Sequence, residues 1–288
     1  MPNPAYELFM PNQRTTSVVF SSPHSGRDYG RAFLRRSMLD EVTIRSSEDA
    51  FVDLLFSDAP AHGAPLMAAR APRAFVDLNR SADELDPALI RGVKRGAHNP
   101  RVSAGLGVIP RVVAGGREIY RGKLPLADVE ARLQDHWFPY HARLQRLLDD
   151  SHRQFGSAVL LDCHSMPHDA VETLCKSHTA KPEIVLGDRF GASADGELVE
   201  QIEMAFREAG FTVARNMPFA GAFTAQHYGR PSRGQHVVQI EIDRSLYMDE
   251  LRLRPNRQFD DVRRALSAII AEIAEIGRPA DELPLAAE

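Results

Sequence analysis

The chain has 288 residues, 43% hydrophobic and 26% charged, with a formal net charge of -4. That balance excludes an intrinsically disordered chain, and with no excess of Lys and Arg it also excludes the electrostatic footprint of a nucleic-acid or membrane-surface binder. Two cysteines, Cys163 and Cys175, exclude a disulfide framework and point to a reducing compartment.

The opening stretch, MPNPAYELFMPNQRTTS, lacks the basic-then-apolar pattern of a signal peptide. No apolar run approaches the roughly 18 residues of a membrane span. A soluble, cytoplasmic protein is expected. The first apolar run, SVVFSS (17–22), reads as a strand buried on both faces, and His24 follows it in the small-residue turn PHSG. RSSEDAFVD places Glu48 and Asp49 at the start of a helix expected over 51–63. Strands are expected at 64–69 and 73–78, the second ending on Asn79 and Arg80. Residues 81–123 are rich in Gly, Pro, Arg and Asp with weak periodicity, and read as a long loop or lid.

Apolar residues three and four apart predict helix over 128–155, with Pro139 marking a kink or a join. SAVLLDC (157–163) reads as a strand, with His164 just past its end behind Asp162. Further strands are expected at 183–188, 211–216 and 236–243, and helices at 195–210 and 261–277. FAGAFTAQHYGRP (219–231) reads as a Gly- and Ala-rich turn carrying Thr224, His227 and Arg230. Alternating strands and helices predict an α/β fold with a mostly parallel sheet.

Ligands of open α/β sheets sit at the carboxyl ends of strands. His24 and His164 are both expected there. Two readings stay open from the residues alone: ligands gathered from separate strand ends, or hydrogen-bonded structural histidines. A catalytic zinc commonly takes three protein ligands; Glu48 and Asp49 are the candidate carboxylates to complete that set. Arg80 offers a planar fork for a carboxylate, with Asn79 beside it, or the two form a solvated capping turn. Glu241 lies inside an apolar strand, where an acid is costly unless paired or used. It is either a general base or a structural acid bridged to Arg244 or Arg230. The small residues of 219–231 let a ligand approach Thr224 and Arg230, and His227 could orient a substrate or stabilise an oxyanion. His141, in WFPYHARL, has no assigned direction.

The ordered motifs SSPHSG, RAFVDLNR, YRGKLP, WFPYH, LLDCHSMP, QHYGRP and QIEIDRSLYMDE resemble the N-formylglutamate amidohydrolase family over most of the chain. The resemblance implies a single catalytic domain over 1–288. Its implied fold is a three-layer, zinc carboxypeptidase-like (phosphorylase/hydrolase-like) arrangement, with a mixed, mostly parallel sheet flanked by helices. The implied cofactor is Zn2+, with His24, His164 and Asp49 as ligands and Glu48 as the alternative third. Asn79 and Arg80 would bind a substrate carboxylate, Glu241 would be the base, and Asp162 would support a ligating histidine. The implied partner is a small N-acyl amino acid, N-formyl-L-glutamate, cleaved to formate and L-glutamate late in histidine degradation. The rivals are a zinc amidohydrolase for another N-acyl amino acid or small peptide, and a non-catalytic binding protein on the same scaffold.

Overall fold

Strands that alternate between two apolar faces need cover on both sides, and the sheet of this protein receives it. The computed structural model describes residues 4–94, 97–172 and 181–279; Cys175 and His178 lie outside them. Seven strands form one sheet: β1 (Tyr6–Phe9), β2 (Val18–Ser22), β3 (Leu66–Ala69), β4 (Ala158–Met166), β5 (Ile184–Gly187), β6 (Val213–Arg215) and β7 (Gln235–Asp243). Their order is β1-β3-β2-β4-β7-β5-β6. The four central strands run parallel, β1 is antiparallel to β3, and β5 is antiparallel to β7. The sheet is therefore mixed and mostly parallel, as expected.

Side-chain alternation divides the core. Val18, Phe20, Leu161, Val238 and Ile240 pack on one face, with helices α2 (Gly196–Glu208) and α4 (Phe259–Ile276). Val19, Leu160 and Val237 pack on the other, with α1 (Phe138–Phe155). Asp195 caps α2 by accepting from Glu197 N at 2.9 Å. Among the described residues no helix is long and apolar enough to cross a membrane.

Several local expectations are corrected. Residues 73–78 form no strand. Phe75 N and Val76 N both donate to Pro72 O, and Asp77 N donates to Val108 O, so the backbone bonds within a turn and to a loop. Their apolar side chains are buried in irregular chain, which period-2 patterning cannot distinguish from a strand. The helix over 51–63 breaks into Val52–Leu55 and a 3-10 turn at Ala59–His62, with Phe51 held at φ 67. The edge strand β1 carries half-exposed residues and escaped detection.

β4 runs three residues beyond its expected end, because all nine of its residues pair with β7, from Ala158↔Gln235 to Met166↔Asp243. The turn at 219–231 contains a helix, α3 (Phe223–Tyr228). Within 128–155 the chain passes through Leu126–Arg132 and a wider turn at Leu133–Trp137 before α1, and Pro139 occupies α1's first turn, where its missing N–H is tolerated. The 81–123 stretch buries Leu89, Ile90, Val108 and Ile109, and carries a helical turn (Pro100–Ser103) and a hairpin of Val112–Val113 with Arg117–Glu118.

Candidate active site

β2 ends at Ser22, and the chain turns at once under the sheet edge. The turn is closed by Ser22 Oγ donating to Ser25 Oγ at 2.8 Å. Gly26 has no Cβ for a reason: one would sit 2.2 Å from Ala71 O. The turn buries His24 to 2% exposure. Asp49 reaches it through the backbone, since Asp49 N donates to His24 O at 3.0 Å. His164 lies within β4 rather than past its end, directly opposite Glu241 on β7.

The side chains converge. Asp49 Oδ2 lies 2.9 Å from His164 Nδ1 and 3.4 Å from His24 Nδ1. One ligand atom from each of the three falls within 4.8 Å of the others. Each histidine is held from behind by its Nε2. His24 Nε2 lies 2.7 Å from Asp77 Oδ1, and His164 Nε2 lies 3.1 Å from Asp162 Oδ2. Asp162 reaches its partner because residues two apart share one face of a strand. Carboxylates behind imidazoles fix tautomer and ring orientation for metal ligation.

His24 Nδ1 is buried and has no hydrogen-bond partner among the described residues. An orphaned buried nitrogen, facing a second Nδ1 and a carboxylate oxygen, fits a cation of the zinc type. The electrostatics agree. Burial pushes Asp49 up, but its hydrogen bond to His164, the nearby His24 and the charge of Arg244 hold the carboxyl well below its usual range. Burial pushes His164 down, yet Asp162, Asp49 and Glu241 hold it well above the usual imidazole range. The same anionic surroundings that retain a proton there favour a bound cation.

Glu241 is buried beside this centre and accepts from Gln239 Nε2 at 2.9 Å. Burial pushes its carboxyl up to about 7, with Asp49 adding to the rise and His164, Arg73 and Arg244 opposing it. A carboxyl poised there can take and return a proton. Both groups open into a cleft of about 720 Å³ that Arg73, Arg80, Arg101 and Arg244 also line. Residues 218–222 also line it, seated against Gly187, whose added Cβ would meet Ala220 C at 2.7 Å.

Other candidates fall elsewhere. Glu48 faces away from the histidines and is held by Arg45 at 2.9 Å and the Tyr29 hydroxyl at 3.1 Å; Asp49 is the residue that meets them. Thr224, His227 and Arg230 do not line the cleft. Folding of 223–228 into α3 stacks His227 on Phe223 at the surface, and Arg230 caps carbonyls of Gln226 and Gly229. Thr224 contributes only its backbone N, donating to Asn79 Oδ1 at 2.8 Å. Asn79 is thereby occupied: its Nδ2 also lies 3.1 Å from Asp162 Oδ2 and 3.0 Å from His164 Nε2, and its N donates to Asp77 Oδ1. Both Asn79 and Arg80 line the cleft. His141 is buried, between Tyr228 Oη at 2.8 Å and Leu78 O at 2.9 Å.

Sequence reasoning missed Asp77 and Arg73, which it had placed in a strand. It considered Arg244 only as a partner for Glu241, whereas Arg244 donates to Asp49 Oδ1 at 2.8 Å.

Imidazoles and a carboxylate gathered beside a buried, raised carboxyl, in a cleft lined by guanidiniums, are groups suited to a hydrolase acting on an amide. Residues 16–248 match the N-formylglutamate amidohydrolase family. N-formylglutamate deformylase of Pseudomonas putida is 30% identical over 92% of this chain and 93% of its own length. Its counterpart in Pseudomonas aeruginosa is 30% identical over 90% and 91%. The crystal structure of N-formylglutamate amidohydrolase from Ralstonia eutropha superposes with a TM-score of 0.89 at 35% identity, covering 95% of this chain and 98% of that one. The chain belongs to the N-formylglutamate amidohydrolase family.

Proposed function

We propose that the protein hydrolyses N-formyl-L-glutamate to formate and L-glutamate with a zinc ion held by His24, Asp49 and His164. The observation that carries the metal is the unpartnered Nδ1 of buried His24, facing His164 Nδ1 and Asp49 Oδ2. The named relatives carry the substrate. Bound there, zinc would supply a Lewis acid for the formyl carbonyl and an acidified water.

The chain's own groups do the rest. Glu241 takes the proton of the attacking water and returns it to the amide nitrogen as the C–N bond breaks. Arg73, fixed by its 3.1 Å bond to Asp77, offers positive charge to the carbonyl oxygen as it becomes negative. Arg80 holds a substrate carboxylate and fixes the orientation of the amide. Asp77 and Asp162 keep the two imidazoles aimed. On this reading the reaction belongs to histidine degradation in the cytoplasm.

The test is formate release from N-formyl-L-glutamate by the purified protein, with and without chelator, alongside metal content. Chelator-sensitive release with about one zinc per chain is expected. A zinc-loaded protein that leaves this substrate intact refutes the substrate, and full activity after metal removal refutes the zinc.

A further inference from the structure

Four arginines line the cleft, and they differ in what already holds their charge. Arg73 is bridged to Asp77 at 3.1 Å and Arg244 to Asp49 at 2.8 Å. Arg80 is buried to 7% exposure, yet it donates only to neutral carbonyls, Leu106 O at 3.1 Å and Asn79 O at 3.0 Å. Arg101 engages no carboxylate, and among the described residues neither Arg80 nor Arg101 has an ion-pair partner. Asp77 and Glu84 influence Arg80 through charge, but neither pairs with it directly: Asp77 is taken by His24 and Arg73, and Glu84 accepts from Ser81 N and Asn99 Nδ2. Arg80 and Arg101 are also close enough to repel one another. A buried guanidinium with no carboxylate in direct contact gains from an anion that docks on it.

We propose that Arg101 is a specificity residue that binds the second carboxylate of a dicarboxylic N-acyl amino acid, completing with Arg80 a clamp of two guanidiniums. The inference rests on the proposed amide hydrolysis for the identity of the reacting bond. Two guanidiniums that have no direct ion pair among the described residues match a dianion better than a monoanion. The α-carboxylate is attached to the carbon that bears the amide nitrogen, so it stays near the centre and falls to buried Arg80. The distal carboxylate reaches the rim and falls to Arg101.

The backbone prepares Arg101 for this. It sits in the turn Pro100–Ser103, capped by Asn99 Oδ1, which accepts from Arg101 N at 3.0 Å and Val102 N at 3.3 Å. Arg111 reaches Ser103 O from below at 3.3 Å. The same segment supplies Leu106 O to Arg80, so both guanidiniums are referenced to one piece of chain.

The experiment measures binding of glutarate and pentanoate, a dicarboxylate and a monocarboxylate of equal length, to the wild-type holoenzyme and to Arg101→Ala and Arg101→Lys by calorimetry. Losing one charge-assisted contact should weaken glutarate by about 10-fold or more. Pentanoate should weaken far less, so the preference for the dianion collapses in Arg101→Ala and returns in part in Arg101→Lys. In turnover of N-formyl-L-glutamate, Arg101→Ala should raise KM with little change in kcat. An Arg101→Ala protein that keeps the full preference for glutarate overturns the clamp. Because that measurement needs no turnover, it stands apart from a failure to release formate, which would refute the proposed reaction instead.

Discussion

Asn79→Ala separates two roles that a residue beside an arginine in this cleft can have. The side chain is 2% exposed and joins three partners: Asp162 Oδ2, His164 Nε2 and Thr224 N. Truncation strands the Thr224 N–H and removes a donor from Asp162, whose Oδ1 already lacks a partner. Each such buried loss costs about 1–3 kcal/mol, so a destabilisation of roughly 2–6 kcal/mol is expected. Asp162 would then hold His164 less firmly, and groups behind a ligand are worth about 10–100-fold in metal affinity. Urea denaturation of the metal-free protein reads the first effect, and competition with a chelator for zinc reads the second. KM should change less than metal affinity, because the Asn79 side chain, although it lines the cleft, is tied to Asp162 and Thr224 and packed on His164. A variant with wild-type stability and zinc affinity but a greatly raised KM would refute this reasoning and make Asn79 a substrate ligand.

Three further outcomes follow from the geometry. Glu241→Gln should lower kcat by at least about 100-fold while zinc stays bound, because the amide keeps the size but cannot take a proton; equal loss of zinc and activity would make Glu241 a ligand. Gly26→Ala should destabilise the protein by about 1–3 kcal/mol and lower zinc occupancy, since its methyl group would collide with the carbonyl of Ala71; unchanged zinc content would show that the His24 turn absorbs the shift. Burial lowers the His141 pKa to about 3 from its ordinary 6.5, so the unfolded chain binds more protons between those values and stability falls as pH drops below 6.5. From pH 7 to pH 5 the wild type should lose about 2 kcal/mol more than His141→Gln, read from urea midpoints; parallel losses would show that His141 does not contribute.

How far the sequence could be read depends on the range of the forces involved. Strand cores such as 18–22 and 236–243 were legible because burial on both faces leaves an unbroken apolar run. Glu241 stood out because a charge in such a run needs a reason. Asp162 was expected behind His164 from the family resemblance alone; the 3.1 Å contact to His164 Nε2 comes from the structure. Asn79 was not expected there, because its role depends on Thr224 N, 145 residues along the chain. The residues alone left Glu48 and Asp49 open, with the resemblance putting Asp49 first: both are buried acids, separated in the structure by the bond from Asp49 N to His24 O and the capture of Glu48 by Arg45. α3 was hidden by its flanking Gly and Ala, which carry no helical periodicity.

The strand order also dictates when the site can come into being. Val18 of β2 pairs with Val159 of β4, and β4 in turn pairs with β7, whose Glu241 lies opposite His164. On a ribosome adding about 5–20 residues per second, β2 waits roughly 7–30 s for β4, β3 roughly 5–20 s, and the centre waits longer for Glu241. Until then His24 stands at the end of an unpaired apolar edge, the kind of surface that neighbouring nascent chains can join. Such long-range pairing also slows folding in isolation. The catalytic centre is thus among the last parts of the molecule to be assembled, and refolding yield should be limited by association of the N-terminal strands rather than by the chemistry of the site.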